Sequence, residues 1–118
     1  MADPADLVRA LYESYQERDW AAAADLLHPE AVLDMPATAE RQVGREAVLA
    51  FQADYPEPWG DLTVLRVVGD DATAVAETEI VAPSETFRCA AFWQVRDGRL
   101  GHGVEYWVTV GGDVPPPR

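Results

Sequence analysis

The chain has one cysteine, two histidines and no lysine among its 118 residues, and each scarcity removes a class of function. A single thiol, Cys89, cannot close an intrachain disulfide, so the fold must be held by its core. Cys89 lies in FRCAAFW, a buried-strand pattern, and reads as a small core residue rather than a nucleophile. Two scattered histidines and one cysteine give no H-x-x-x-H or C-x-x-C spacing, so no metal site is expected. No glycine-rich phosphate loop follows a strand, and the expected cofactor complement is none. Positive charge is also scarce, with nine arginines against 21 acids for a net charge of −12. Such a surface repels phosphate backbones and anionic lipid, so neither nucleic acid nor a membrane is an expected partner. No apolar run approaches a membrane span, and MADPADLVRALY carries charges where a signal peptide needs an apolar stretch. The expected location is the cytoplasm.

What the chain does have is apolar substance. Hydrophobic residues make up 48%, including four Trp, four Tyr and three Phe, which argues against disorder and supports one domain with a real core. The expected domain is 1–110, with the Gly- and Pro-rich 111–118 as an extended arm. Asp3-Pro4 starts a helix, Asp3 as its cap and Pro4 in its first turn. Leu7, Val8, Leu11, Tyr12 and Tyr15 then recur at helical spacing to about Glu17. Asp19 caps a second helix, Trp20 to Leu27, which His28-Pro29 ends, with His28 a favourable cation near the helix dipole. Residues 31–36 form a short extended piece, and a loop with Thr38, Glu40 and Arg41 follows. Gly44-Arg45-Glu46 opens a third helix, with Val48, Phe51 and Tyr55 on its buried side. Two prolines make 55–60 a loop. Four strands then follow, Leu62–Val68, Ala72–Val81, Thr86–Arg96 and Arg99–Val110, with Asp97-Gly98 a hairpin signal. Helices first and antiparallel strands after them mean α+β.

The last strand, GVEYWVTV, contains a conflict. Val104, Tyr106, Val108 and Val110 fall on one face, and Trp107 shares the other face with Glu105. A strand with both faces apolar should not carry a carboxylate without a partner or a cavity. A sheet apolar on both sides also needs two covers, so helices on one side and a second copy on the other are expected, giving a symmetric homodimer.

The segments YQERDWAAAADLLHPEAVLDMP and VGREAVLAFQADYPEPW, followed by four strands with RDGRL and EYW in the last hairpin, resemble the nuclear transport factor 2-like superfamily and its SnoaL-like proteins. The resemblance covers about Leu7 to Trp107. It implies a cone-shaped fold, three N-terminal helices packed on a curved, mainly antiparallel sheet, with an apolar pocket between them and dimerisation through the outer sheet face. It also implies that Glu105 and Trp107 face the pocket. Among steroid isomerases of this superfamily the general base directly precedes the proline of the short strand. That place holds Met35 here, with Asp34 one residue earlier. Their oxyanion-binding acid falls near Ala91, and their helical tyrosine near Leu11, with Tyr12 and Tyr15 close by. The Asp-Arg-Asp set of the epoxide hydrolases has Arg88 on a strand but no two matching aspartates.

The candidate catalytic residues are Glu105, Asp34 and His102. Burial among aromatics should raise the Glu105 pKa toward neutrality, as a proton carrier requires. The competing reading is a structural carboxylate bonded by backbone, arginine or a tyrosine hydroxyl. Asp34 is a second candidate base, and His102, between two glycines, could form a dyad with Glu105 if a bulge re-aims it. Candidate ligand contacts are Tyr15, Met35, Trp59, Glu77, Trp93 and Trp107; Tyr15, Trp59 and Trp93 would serve equally well as core, and Glu77 could be a solvated or dimer-rim charge on the outer face. The expected ligand is a small apolar oxygenated molecule. The chemistry would be cofactor-free isomerisation, cyclisation, dehydration or hydrolysis; the alternative is a non-catalytic binding or accessory protein.

Overall fold

A computed structural model describes residues 3–117 and contains three helices and six strands. Helix α1, Pro4–Glu17, begins where the sequence supplies a cap: Asp3 accepts the Asp6 amide at 2.9 Å, and Arg18 ends the helix in a left-handed conformation. Its stripe of Leu7, Val8, Leu11, Tyr12 and Tyr15 is buried against the sheet. Helix α2, Trp20–Leu26, is capped by Asp19. Strand β1, Leu27–Met35, follows it directly, and β2 is Glu40–Val43. Helix α3, Arg45–Ala53, precedes β3 (Asp61–Gly69), β4 (Thr73–Val81), β5 (Thr86–Arg96) and β6 (Arg99–Thr109).

The six strands form one sheet in the order β2-β1-β6-β5-β4-β3. All neighbours are antiparallel except β1 and β6, which run parallel. Helix α1 lies over β3 and β4, and α3 lies over β1, so the helices cover a single face. The β5–β6 hairpin turns at Asp97-Gly98, where φ is 53° and 76°; two positive φ values are what the favoured two-residue turn demands.

Three expectations need correction. The segment after β1 is not wholly a loop, since Glu40–Val43 pairs with β1 as an edge strand. The second helix ends at Leu26, and His28-Pro29 lies inside β1. Proline is tolerated there because the β1–β6 register shifts between Leu27 and Val32, a break in which no ladder N–H is required of it. His28 therefore stands in a strand beyond the helix end, where its Nδ1 accepts the Glu30 amide at 3.0 Å. Residues 111–117 hold neither helix nor strand. Among the described residues no helix is long and apolar enough to cross a membrane.

Complementary sizes shape the inner face of β4, β5 and β6. Register places Trp93 opposite Gly103, Ala91 opposite Glu105, and Ala76 opposite Ala91. The Trp93 ring lies flat over Gly103, where an added Cβ would come within 2.5 Å of ring carbons. Over this face Tyr12 reaches from α1 to Glu105.

Candidate active site

Between α3, the 55–60 loop and the open end of the sheet lies a cavity of about 320 Å³. This is near the small end of the range of about 300–1,000 Å³ typical of ligand pockets. Met35, Ala37, Thr38 and Glu40 line one side, Phe51, Gln52, Tyr55 and Trp59 another, and Ile80, Phe87, Glu105, Trp107, Val108 and Thr109 the sheet side. Five of these residues are aromatic and none is basic.

Glu105 reaches the cavity because its neighbours Val104 and Tyr106 take the opposite face of β6. It is 2% exposed, whereas Tyr106 is 48% exposed. The Tyr12 hydroxyl donates to Glu105 Oε2 at 2.5 Å, and the Trp107 indole donates to Oε1 at 3.0 Å. Trp93 completes a buried chain by donating its indole N–H to the Tyr12 oxygen at 2.9 Å. Burial pushes the Glu105 carboxyl above its ordinary pKa, and the Tyr12 and Trp107 donors hold the rise in check. Burial first, and the Glu105 charge second, push the Tyr12 phenol well above its own ordinary value, so Tyr12 remains a donor. A carboxylate oxygen can accept two hydrogen bonds and each here receives one from the protein, leaving capacity for a group in the cavity. Both competing readings of Glu105 therefore meet in one geometry: it is held by a tyrosine, and it also forms part of a cavity wall.

Asp34 and His102 lie elsewhere. Alternation along β1 puts Met35 into the cavity and Asp34 on the outer sheet face. There Asp34 takes two hydrogen bonds from Arg41, at 2.7 and 3.1 Å, and pairs with His102 Nε2 at 2.8 Å. Arg41 and His102 hold its carboxyl down at about 2, where it cannot act as a base near neutrality. His102 shares that face with Val104, so its expected dyad with Glu105 is replaced by one with Asp34.

Of the expected ligand contacts, Met35, Trp59 and Trp107 line the cavity. Tyr15 and Trp93 do not; both are buried behind it, Tyr15 packed edge-on to Tyr12 with ring centroids 5.4 Å apart. Glu77 is on the outer face, 3.0 Å from Arg66 and 3.7 Å from Arg88. Trp59 is held as a wall by Arg18, whose guanidinium lies 3.4 Å from the ring centroid and forms two hydrogen bonds to Glu57. Its own indole N–H has no partner among the described residues.

Sequence reasoning did not assign roles to Tyr12 and Gln52. Tyr12 is one of two tyrosines in the apolar stripe, and periodicity cannot say what its hydroxyl meets 93 residues away. Gln52 did leave a signal, being four residues after Val48 and so on the buried side of α3. Among the described residues no three His, Cys, Asp or Glu side chains gather to hold a metal ion.

The family model for the SnoaL-like domain matches residues 8–102. The chain belongs to the SnoaL-like family. Its fold is nuclear transport factor 2-like. A Kribbella flavida protein provisionally named a ketosteroid isomerase superposes on this SnoaL-like chain with a TM-score of 0.88 at 29% identity, covering 98% of this chain and 83% of that one. A nuclear transport factor 2-like protein from Burkholderia xenovorans gives 0.80 at 21% identity, over 94% and 84% of the two chains. An epoxide hydrolase from M. tuberculosis gives 0.73 at 17%, over 89% and 82%, a likeness of fold alone. No protein of curated function matches the SnoaL-like chain.

Proposed function

We propose that this SnoaL-like protein is an acid/base catalyst acting on a small apolar oxygenated molecule, with Glu105 as its single proton carrier. The observation that carries this reading is a carboxyl group 2% exposed, in the wall of an aromatic cavity, with no cation among its partners. In its ionised form, a carboxyl whose pKa burial has raised can take a proton from carbon beside a carbonyl, becoming the neutral acid, and return it to another atom of the same molecule, becoming the carboxylate again. That is an isomerisation, balanced without a co-reactant. Tyr12 and Trp107 fix the carboxyl in one orientation, which saves reorganisation when the proton moves. The provisional name of the Kribbella relative, an isomerase, agrees with this reading. Asp34 and His102 have no part in it.

The test needs no knowledge of the natural substrate. Cyclic ketones are incubated with the protein in D₂O and deuterium uptake beside the carbonyl is followed by NMR. The wild type should accelerate uptake over buffer, and Glu105→Gln should slow it by about a hundredfold or more, the usual contribution of a positioned acid/base group. Equal uptake with both proteins would sink the proposal and favour a binding module.

We also propose that the outer sheet face pairs with a second copy. Phe92 and Tyr106 form an edge-to-face pair there with centroids 6.0 Å apart, and they are 44% and 48% exposed beside Val108 at 53%. An exposed apolar patch with charged margins (Arg66, Glu77, Arg88 and Glu79 on one side, Asp34, Arg41 and His102 on the other) suits a self-complementary contact.

A further inference from the structure

We infer that Gln52 recognises the ligand's own polar atom, and that the ligand is an uncharged molecule carrying a carbonyl or hydroxyl on an apolar skeleton. The inference rests on the cavity being the working site.

Helix α3 turns Val48 and Gln52 to the same buried side, a position where an amphipathic helix ordinarily places an apolar residue. Gln52 is 6% exposed and lines the cavity, yet among the described residues no group hydrogen-bonds its side-chain amide. Its amide atoms are not sealed off within the protein, as the unpaired Trp59 N–H and Thr78 hydroxyl are, so they open onto the cavity and can meet a polar atom of an occupant there. Among the other polar groups of the wall, the Trp59 indole N–H is unpaired but sealed away from the cavity space, and Tyr55 and Thr109 are exposed at the rim. Glu105 is held by Tyr12 and Trp107, and at the mouth Thr38 donates to Glu40 at 2.6 Å.

The lining also decides the charge of the occupant. With no Arg, Lys or His in the wall, a carboxylate or phosphate would find no counter-charge and would face Glu105. An ammonium would be drawn to Glu105 only in the ionised form that burial opposes, and as a donor only it would leave both amide hydrogens of Gln52 unmatched. A carbonyl accepts from those hydrogens, and a hydroxyl can serve either end. Five aromatic rings then enclose the skeleton.

Three compounds with one skeleton separate these cases: tetralin, 2-tetralone and 2-aminotetralin, titrated calorimetrically into wild type, Gln52→Leu, Gln52→Met and Glu105→Gln. In the wild type 2-tetralone should bind about three- to tenfold tighter than tetralin, the effect of one neutral hydrogen bond. Both Gln52 variants should lose that preference while holding tetralin within about twofold. Each replaces an unpaired amide by an apolar chain of similar size, so both should fold, which circular dichroism checks. Glu105→Gln should keep the ketone preference, so proton transfer can fail as a reading while the Gln52 assignment stands. A ketone preference that survives in both Gln52 variants overturns the assignment. So does a wild type that binds 2-aminotetralin more tightly than 2-tetralone, or that fails to distinguish tetralin from 2-tetralone.

Discussion

Replacing Tyr12 by Phe removes one oxygen and breaks two hydrogen bonds. The first is the 2.5 Å bond from the Tyr12 hydroxyl to Glu105, and the second is the 2.9 Å bond that Trp93 donates to Tyr12. A hydrogen bond to a charged group contributes about 1.5–3 kcal/mol, and a buried donor left unpaired costs about 1–3 kcal/mol. Because Tyr12 is 1% exposed and Trp93 is 1% exposed, water cannot replace either bond without the fold opening. With Glu105 ionised, both terms apply and the loss should be about 2.5–6 kcal/mol. With Glu105 protonated, the unpaired Trp93 N–H dominates and the loss falls to about 1–3 kcal/mol. The wild-type carboxyl already has a folded pKa above its unfolded value of 4.5. Its contribution to stability is therefore fullest below that value and declines as pH rises through the folded pKa. Removing the Tyr12 donor pushes that pKa higher still, so the gap between variant and wild type must widen with pH. Urea unfolding at pH 5 and pH 8 measures the gap. In the Glu105→Gln background, where nothing titrates at this site, the same substitution should cost the same at both pH values. A Tyr12→Phe loss in the otherwise native chain that is equal at pH 5 and pH 8 would refute the coupling between hydroxyl and carboxyl.

Two other substitutions probe the scaffold around this site. Gly103→Ala places a methyl group 2.5 Å from Trp93 ring carbons and should destabilise by about 1–3 kcal/mol, lowering the melting temperature by several degrees; an unchanged melting temperature would contradict the flat packing of Trp93 on β6. If the outer face pairs two copies as proposed, the wild type should sediment as a dimer and Tyr106→Arg, on that exposed face, as a monomer with unchanged far-ultraviolet circular dichroism; a monomeric wild type, or a variant that sediments like it, would refute that pairing.

The sequence disclosed the elements whose signals are local. Asp3-Pro4 caps α1 and Asp97-Gly98 turns the last hairpin because capping and positive φ depend on a few adjacent residues. Strand β2 was illegible because Glu-Arg-Gln-Val is short and polar; only its place at the sheet edge makes it a strand. The faces of β4 were ambiguous for another reason. Ala76 and Thr78 alternate with Glu77 and Glu79, and either set can be argued inward. Arg66 on β3 and Arg88 on β5 decide the matter by meeting the two glutamates outside, and cross-strand register cannot be read from one strand. The conflict in GVEYWVTV did lead to Glu105, since a carboxylate among apolar alternates is visible without a fold. Its hydroxyl partner was not visible, because α1 and β6 meet only in three dimensions.

Two carboxylates near the same end of the sheet have opposite fates, and strand parity separates them. Asp34 lies outward, where Arg41 and His102 hold it ionised; Glu105 lies inward, where burial opposes ionisation. Of the two, only the inward carboxyl has its pKa moved upward from the ordinary value. The steroid-isomerase pattern places an acid near Ala91, and Ala91 is the cross-strand partner of Glu105. Directly paired positions on one face bring their Cβ atoms within about 5 Å, so a side chain from either strand can reach the same space. In that pattern the acid near Ala91 binds an oxyanion, whereas Glu105 is proposed here to carry a proton, so the two carboxyls would share a face of the pocket without sharing a role. Ala91 is fully buried opposite Glu105, so a larger residue at 91 would crowd the carboxyl that Tyr12 holds.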